Sequence, residues 1–289
     1  MFVLTIFSCV SGCATVPYNY GTKYRSDREY ALPEGEPQIE RGEPIAVLDA
    51  ADWYWPLSLL GKLILWNWKV DRHEISPETE AALIAYLDRN DLKNVKVRLN
   101  QYSPGAEWGR LFKNKSVGAG WRYTIGVISV AYYTILPGRF FGGDHYNPYS
   151  NTINIYSDIE SVTLHEGGHA KDFAGRKYKG TYGFAYILPF VALYPEAVAS
   201  SDAISYLKAN NDVKLQKQAY NVLYPAYGTY VGGNLGQFWA EPWNTIISLG
   251  FVIPGHIIGR YKSAHVKDES VSPPAAGSVE QPPDPAEKN

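Results

Sequence analysis

Cysteine is nearly absent from the chain. Only Cys9 and Cys13 occur among 289 residues, and both lie in the first thirteen positions. Everything after Cys13 therefore has no disulfide, no cysteine nucleophile and no thiolate with which to bind a metal. Catalytic or metal-binding chemistry in the main part of the chain must use histidine, carboxylate, hydroxyl or amine groups.

An excess of basic charge is also missing. Lys+Arg total 27 against 29 for Asp+Glu, which gives a formal net charge of −2. Proteins that bind nucleic acid usually carry a basic patch or stripe, so nucleic acid is not an expected partner. The glycine patterns of Rossmann and P-loop phosphate sites do not occur either.

Long apolar runs are absent too. Four apolar stretches, 57–68, 125–136, 182–194 and 245–258, fall short of the roughly 18 or more apolar residues that a spanning helix needs. We expect them to form core, and 125–136 is β-branched enough to predict one or two buried strands. The tryptophans within 53–68 leave open the alternative that this surface rests on a membrane.

The segment His165-Glu166-Gly167-Gly168-His169 contains the pattern HExxH. On a helix, residues i and i+4 share a face, so two imidazoles at this spacing can bind one metal ion. The glutamate between them lies beside the ion and can accept a proton from water there. The pattern predicts a zinc site with Glu166 as the catalytic base.

The residues around this pattern favour a helix. Ser157 and Glu160 fit a capping box, which predicts Ser157 as the N-cap, and Gly175 predicts the C-terminal end. Gly167 and Gly168 each cost about 1 kcal/mol relative to alanine in a helix interior. We expect another backbone to cross closely there; the alternative is that the glycines interrupt the helix.

A segment of alternating character, residues 152–156, precedes this helix and predicts a strand. A strand that leads into an HExxH helix resembles the catalytic core of the zincin metallopeptidases, over about residues 145–208. The resemblance implies an edge strand along the substrate cleft, where free backbone groups pair with an extended peptide. The implied fold is α+β and zincin-like, with a mixed sheet, an edge strand and two active-site helices.

Two histidines are too few for a catalytic zinc site, which normally has three protein ligands. A metzincin is excluded because Asp172 and Gly175 stand where its glycine and third histidine would be. Residues 194–203 resemble the glutamate helix of gluzincins, in which a glutamate is followed by small residues, Ser and Asp. The resemblance implies Glu196 as the third ligand, and Glu241, an acid between aromatic residues, is the alternative.

Other polar residues are weaker candidates. Asp172, one turn beyond His169, could accept a hydrogen bond from a ligand histidine, although a solvated position explains it equally well. His145 could line the cleft and His256 could contact an oxyanion, but a structural role is the simpler interpretation of both. Gluzincins often place a tyrosine beyond the ligand glutamate to stabilise the oxyanion, so the tyrosines of 220–230 are candidates.

The N-terminal residues predict export. Residues 2–10 are apolar, and the sequence VSGC at 10–13 matches a bacterial lipobox. Cys13 would then carry lipid, and two or three acyl chains at about 0.8 kcal/mol per buried CH₂ anchor a protein firmly. No basic residue precedes the apolar run, so a plain secretory signal or an ordinary apolar N-terminus is the alternative. The two residues after Cys13 lack the aspartate that retains lipoproteins at an inner membrane, which favours an outer membrane where one exists.

Composition predicts four parts: a lipoprotein signal peptide (1–12), a polar tether (13–44), a zincin-like metalloprotease domain (45–263) and a disordered, proline-rich tail (264–289). Within the domain, Ser76-Pro77-Glu78 predicts a helix that runs to about residue 89, and 106–113 predicts another. Alternation at 95–99 predicts a strand.

These features predict a zinc-dependent metallopeptidase of the bacterial cell envelope, anchored to the membrane through lipidated Cys13 and acting on a peptide or protein. His165, His169 and Glu196 would bind Zn²⁺, and Glu166 would move the proton. Two alternatives stay open. One is a non-catalytic envelope lipoprotein that binds a partner, and the other is a zinc hydrolase whose substrate is not a peptide.

Overall fold

The computed structural model describes residues 17–24, 28–43, 45–136 and 143–267. Helices and a small mixed sheet make an α+β fold, so this part of the prediction is confirmed. Cys13, the signal peptide predicted at 1–12 and most of the predicted tail lie outside the described residues. Within those residues, none of the helices combines the length and the apolar character needed to cross a bilayer.

The elements follow one another as β1 (Ile39–Arg41), α1 (Ala46–Trp53), α2 (Pro56–Leu65), α3 (Pro77–Arg89), β2 (Lys96–Leu99), α4 (Pro104–Lys113), α5 (Ala119–Trp121), a π-helical turn (Arg122–Gly126), α6 (Val127–Ile135), β3 (His145–Asn147), β4 (Thr152–Ile155), α7 (Glu160–Ala174), α8 (Lys179–Ala185), α9 (Leu193–Ala209), α10 (Val213–Gly236), α11 (Trp243–Gly250) and α12 (Val252–Ala264). The two helices predicted before residue 114 are confirmed as α3 and α4. Ser76 caps α3, because its hydroxyl accepts the backbone N–H of Thr79.

The sheet has the order β1-β2-β4-β3. Strands β1, β2 and β4 are parallel, and β3 is antiparallel to β4. The strand predicted at 152–156 is therefore formed, but its assignment as the edge strand is wrong. The turn after Asn147 brings β3 back against β4, so β3 takes the edge and β4 becomes central.

The predicted domain boundary at residue 45 is too late. Residues 39–41, assigned to the tether, form β1 and pair with β2 in parallel register. Further upstream, the hydroxyl of Tyr18 donates to Asp202 on α9 at 2.8 Å. Backbone pairing and this long-range hydrogen bond attach a segment whose polar composition alone predicted a tether.

The strands predicted within 125–136 are also wrong, because this segment is helical. Val130 and Tyr133 are buried, whereas Ile128 and Ile135 are exposed. That alternation follows a helical period, but apolar residues on the exposed face conceal it in the sequence.

Helix α7 is central to the fold. It contacts α9, α3, α10 and both β3 and β4. Its residues Leu164 and Ala170 belong to one buried cluster with Leu83 of α3, Ile153 of β4 and Ala203 of α9. Each fully buried Leu or Ile side chain of this cluster contributes about 1.5–3 kcal/mol of transfer free energy, so burial stabilises the packing of α7 between the sheet and the C-terminal helices.

Candidate metal centre

The helix that carries the HExxH residues begins later than predicted. Its first residue is Glu160, and no side chain caps it. Ser157 does not act as N-cap, because its hydroxyl instead accepts the N–H of Asp71 and its own N–H is bound by Asp144. The predicted end is confirmed, since Gly175 directly follows the last helical residue.

The two glycines of the motif lie where other groups come close. A Cβ on Gly168 would lie 2.8 Å from the carbonyl oxygen of Ala199 and 3.0 Å from its Cα, and one on Gly167 would lie 2.7 Å from the ring of Tyr86. The predicted backbone crossing is thus confirmed at Gly168, where α9 passes over α7. The crossing places Glu196, one turn before Ala199, beside the two histidines.

Three potential ligand atoms converge at this crossing. The Nε2 atoms of His165 and His169 are 3.1 Å apart. The carboxylate of Glu196 lies 3.2 Å from His165 Nε2 through one oxygen and 3.3 Å from His169 Nε2 through the other. Donors bound tetrahedrally at 2.0–2.2 Å from one ion are about 3.3–3.6 Å apart. The three side chains therefore fit one metal ion with little movement.

The charge of this group suits a cation. Burial alone would raise the pKa of Glu196, but His169 and His165 hold that pKa well below its ordinary range. All three side chains are largely buried, with at most 12% of the side chain exposed. A buried carboxylate beside two imidazoles forms a charged donor set, and a divalent cation can neutralise it.

The Nδ1 atoms of both imidazole rings are within hydrogen-bond distance of hydroxyl groups. His165 Nδ1 lies 3.1 Å from the hydroxyl oxygen of Ser200, and His169 Nδ1 lies 3.1 Å from that of Tyr186. When Nδ1 donates to such a partner, the lone pair of Nε2 is directed at the site. Ser200 is on the same helix as Glu196, so one element provides a candidate ligand and the support for another.

Glu166 lies beside the donor group without being part of it. Burial raises the pKa of its carboxyl to about 8. The charges of Glu196 and Asp144 act in the same direction, whereas His165 and the backbone N–H of Tyr146 oppose them. The contact with Tyr146 shows that the outer edge of β3 faces Glu166. A buried carboxyl with a raised pKa in such a position is suited to proton transfer near neutral pH.

The alternative ligand, Glu241, is not at the site. It is exposed before α11, and its carboxylate accepts the hydroxyl of Thr245 at 2.8 Å. Its position between aromatic residues reflects an exposed helix start and not a buried partner.

Asp172 does not bind a ligand histidine. It accepts hydrogen bonds from Arg176 at 3.0 Å and from the hydroxyl of Tyr182 at 2.6 Å. The ring of Tyr182 packs edge-on against Tyr186, with ring centres 5.7 Å apart. Asp172 thus contacts the site only through two tyrosines, because it faces the side of α7 that α8 covers.

Both remaining histidine candidates have structural contacts. His145 lies on β3, where its ring contacts the carbonyl of Gly143 and the amide of Asn154. His256 hydrogen-bonds the carbonyl of Ile64 at 2.8 Å and stacks on Trp66. Neither approaches the three donor residues.

Among the tyrosines of 220–230, Tyr230 reaches the site. Its hydroxyl donates to the carboxylate of Glu196, whose negative charge, with burial, raises the pKa of Tyr230 well above its ordinary value. Tyr227 instead donates to the carbonyl of Leu193, and Tyr220 and Tyr224 contact each other. The sequence indicated a segment of four tyrosines, and the structure brings Tyr230 of that segment to Glu196.

Two cavities lie near α7. One of about 140 Å³ is lined by His165, Glu166 and Glu196 together with apolar residues of α10. The other, of about 690 Å³, lies beside residues 17–23 and contains none of the three donor residues. The smaller cavity is the relevant one, because of these two cavities in the described part of the chain it is the one lined by His165 and Glu196.

Sequence reasoning missed Tyr186 and Asp144. Tyr186 follows the end of α8 and Asp144 precedes β3, so tertiary structure alone brings them to the site. Ser200 had a weak signal, since it lies four residues after Glu196 and thus on the same helical face.

No protein-family model, no curated protein and no solved structure matches this chain. Its chemistry must therefore be inferred from the arrangement of its own side chains.

Proposed function

We propose that the chain is a zinc-dependent metallopeptidase of gluzincin type. The observation that carries the proposal is the convergence of His165, His169 and Glu196, with donor atoms 3.1–3.3 Å apart, next to the buried carboxyl of Glu166. Two imidazoles and a carboxylate suit zinc, and three protein ligands leave one coordination position open. An open position is typical of a catalytic zinc site and not of a structural one.

When bound, zinc would polarise a substrate carbonyl and lower the pKa of water at its open position to about 7. Glu166 would accept the proton of the attacking water on a carboxylate oxygen and transfer it to the leaving amine. Its carboxyl has a pKa of about 8 by burial, and the charge of a cation beside it favours the ionised form that acts as base. The hydrogen bond from the backbone N–H of Tyr146 would keep Glu166 in place.

The outer edge of β3 supports a peptide as substrate. Among the described residues β3 pairs with β4 alone, and on its other side the backbone N–H of Tyr146 binds Glu166. An extended peptide could add to this edge through backbone hydrogen bonds, which place a scissile carbonyl near Glu166 without reading side chains. We therefore propose that residues 145–147, and not 152–156, are the edge strand that pairs with the peptide.

Tyr230 is the proposed oxyanion donor. Its hydroxyl donates to Glu196, and both residues line the smaller cavity. A donor that lies beside the carbonyl under attack can stabilise the negative charge that develops on it.

The place of action is proposed to be the bacterial cell envelope, with the chain anchored by lipid on Cys13. The support is the lipobox at 10–13 and the absence of other cysteines after it. This localisation brings peptides of the envelope within reach.

The test compares two variants. Glu166→Gln removes the proton acceptor but no ligand, so zinc should stay bound at one ion per chain while peptide hydrolysis falls roughly 10²–10⁴-fold. His169→Ala should lose zinc and hydrolysis together. Glu241→Gln is the matched control and should change neither, because Glu241 is exposed and distant from the site.

The outcomes separate the alternatives. Full hydrolysis in Glu166→Gln would refute the mechanism. A wild-type chain that contains no zinc would favour a non-catalytic binding protein. Stoichiometric zinc without cleavage of any peptide in a mixed library would favour a zinc hydrolase with another substrate.

A further inference from the structure

Helices α11 and α12 follow one another along α10, antiparallel to it, as the second arm of a helical hairpin, and they pack on α10 mainly through glycine. A Cβ at Gly228 would lie 2.5 Å from the carbonyl oxygen of Phe251, and one at Gly255 would lie 2.7 Å from the Cα of Pro225. The backbones come equally close at Gly232, Gly236 and Gly259. Because backbone meets backbone, as in helix pairs of membrane proteins, the large side chains of α11 and α12 are directed away from α10.

Those outward side chains are apolar. None of the residues of α11 is buried. The hairpin surface, as we name it, consists of six side chains that are 51–65% exposed: Trp239, Trp243, Ile246, Ile253, Ile257 and Tyr261. The last three follow one another at a spacing of four residues and form one stripe along α12. So many large apolar side chains on neighbouring helices mark an interaction surface.

The charges around this surface are mostly positive. Residues 239–267 contain Arg260, Lys262 and Lys267 but only one carboxylate, the exposed Glu241. Arg260 lies over the ring of Trp66 at 4.5 Å, and Trp66 is itself 65% exposed. A second copy of this surface would bring three more cations and only one carboxylate, Glu241, to these cations. Anionic lipid headgroups supply the opposite charge.

Phe238, which directly precedes Trp239 of the hairpin surface, connects this surface to two residues of the candidate metal centre, Tyr230 and Tyr186. Tyr230, at the site, precedes Phe238 by eight residues of α10 and its end, or about 12 Å at 1.5 Å per residue. Phe238 stacks on Phe190 with ring centres 5.9 Å apart, and Phe190 follows Tyr186, the partner of His169, by four residues.

We propose that the hairpin surface lies in the headgroup region of a membrane that contains anionic lipid, with α12 parallel to the membrane plane. Its apolar stripe enters the acyl boundary, and Arg260 contacts the phosphates. Helices with an apolar face and basic flanks bind membranes in this way. The contact is independent of catalysis and of a lipid on Cys13, and it holds the candidate centre close to the bilayer.

The test uses the full-length chain on vesicles of phosphatidylcholine and phosphatidylglycerol in which the phosphatidylcholine carries brominated acyl chains. Bromine quenches tryptophan fluorescence only at short range, so it reports which tryptophans enter the bilayer. Trp243→Phe should remove much of the quenching, whereas the matched control Trp108→Phe, on α4, should leave it unchanged. Omitting phosphatidylglycerol or adding salt should reduce quenching, because the headgroup charge is lost or screened.

A second pair of variants tests the stripe. Ile253→Ser with Ile257→Ser should at least halve the quenching, because both side chains are 64% exposed and would otherwise be buried in lipid. The control pair, Ile128→Ser with Ile135→Ser on α6, changes side chains of similar exposure, 63% and 75%, and should have no effect.

Equal losses in the two serine pairs, or quenching that survives unchanged in Trp243→Phe, would overturn the proposal. A chain that cross-links as a dimer through Trp243 while that residue stays unquenched would assign the surface to a second copy. An inactive protein that still shows the predicted quenching would refute the proposed peptidase and leave this inference standing.

Discussion

Gly168→Ala tests whether the crossing of α7 and α9 determines the geometry of the candidate metal centre. The added Cβ would lie 2.8 Å from the carbonyl oxygen of Ala199, and an ordinary contact begins at 3.4 Å. The obstacle is backbone within a helix and cannot rotate away. The two helices must therefore separate by about 0.6 Å.

Two opposing effects set the change in stability. Overpacking of a core costs about 1–3 kcal/mol. Replacing glycine by alanine in a helix interior stabilises the helix by about 1 kcal/mol. The expected net loss in the free energy of unfolding is therefore between zero and about 2 kcal/mol, measured by urea denaturation in the presence of a chelator.

The effect on metal binding should be larger. Glu196 lies one turn before Ala199, so a shift of α9 moves its carboxylate away from His165 and His169. Ligand distances tolerate only about 0.2 Å. We expect the affinity for zinc to fall about 10–100-fold, as for loss of a group that orients a ligand. Competition with a chromogenic chelator measures this affinity.

Gly109→Ala is the matched control. Gly109 lies inside α4, and a Cβ there would have no neighbour within 4 Å. This variant should gain about 1 kcal/mol of stability and bind zinc as the wild type does. If Gly168→Ala behaved like this control in both measurements, the crossing would not constrain the site and the reasoning would be refuted.

Three further predictions concern other contacts. Tyr186→Phe removes the hydroxyl at His169 Nδ1 and should weaken zinc binding about 10–100-fold in the same chelator competition; unchanged affinity would contradict the orienting role. Burial opposes ionisation of Asp158, but hydrogen bonds led by those from Ser76 lower its pKa to about 2. The stability that this carboxylate contributes is therefore present above its unfolded pKa of about 3.9 and lost as pH falls to about 2, and Asp158→Asn should show a flatter pH dependence in urea unfolding over that range. Cys13→Ser should give an unprocessed or soluble product, and a variant that still labels with palmitate in the membrane fraction would disprove the lipobox interpretation.

The part of the site that the sequence predicts is the part that helical periodicity determines. His165 and His169 share a face because they are four residues apart, and that holds in any α-helix. The glycines between them predicted a close crossing, and the small residues after Glu196 suggested which helix crosses. Each of these signals is local, so each could be recognised without knowledge of the fold.

The contacts that escaped prediction depend on tertiary structure. Tyr186 and Asp144 lie just outside the ends of a helix and a strand, where no helical or strand period determines the direction of a side chain. Strand β3 is only three residues long, too short for alternation to be visible, so β4 was mistaken for the edge. In 125–136, exposed isoleucines gave an apolar composition that suggested strands, although the burial pattern is helical.

Close approach of helices at glycine has two different consequences in this fold. At Gly168 it lets α9 approach α7, and the side chains beside the crossing turn inward to form the donor group. On α10, Gly228 and Gly232 let α11 and α12 approach in the same way, but there the large side chains of α11 and α12 are directed to solvent. Tyr230 lies between these two glycines in the sequence and reaches Glu196. Whatever covers the hairpin surface therefore packs on the same helix that supplies the proposed oxyanion donor.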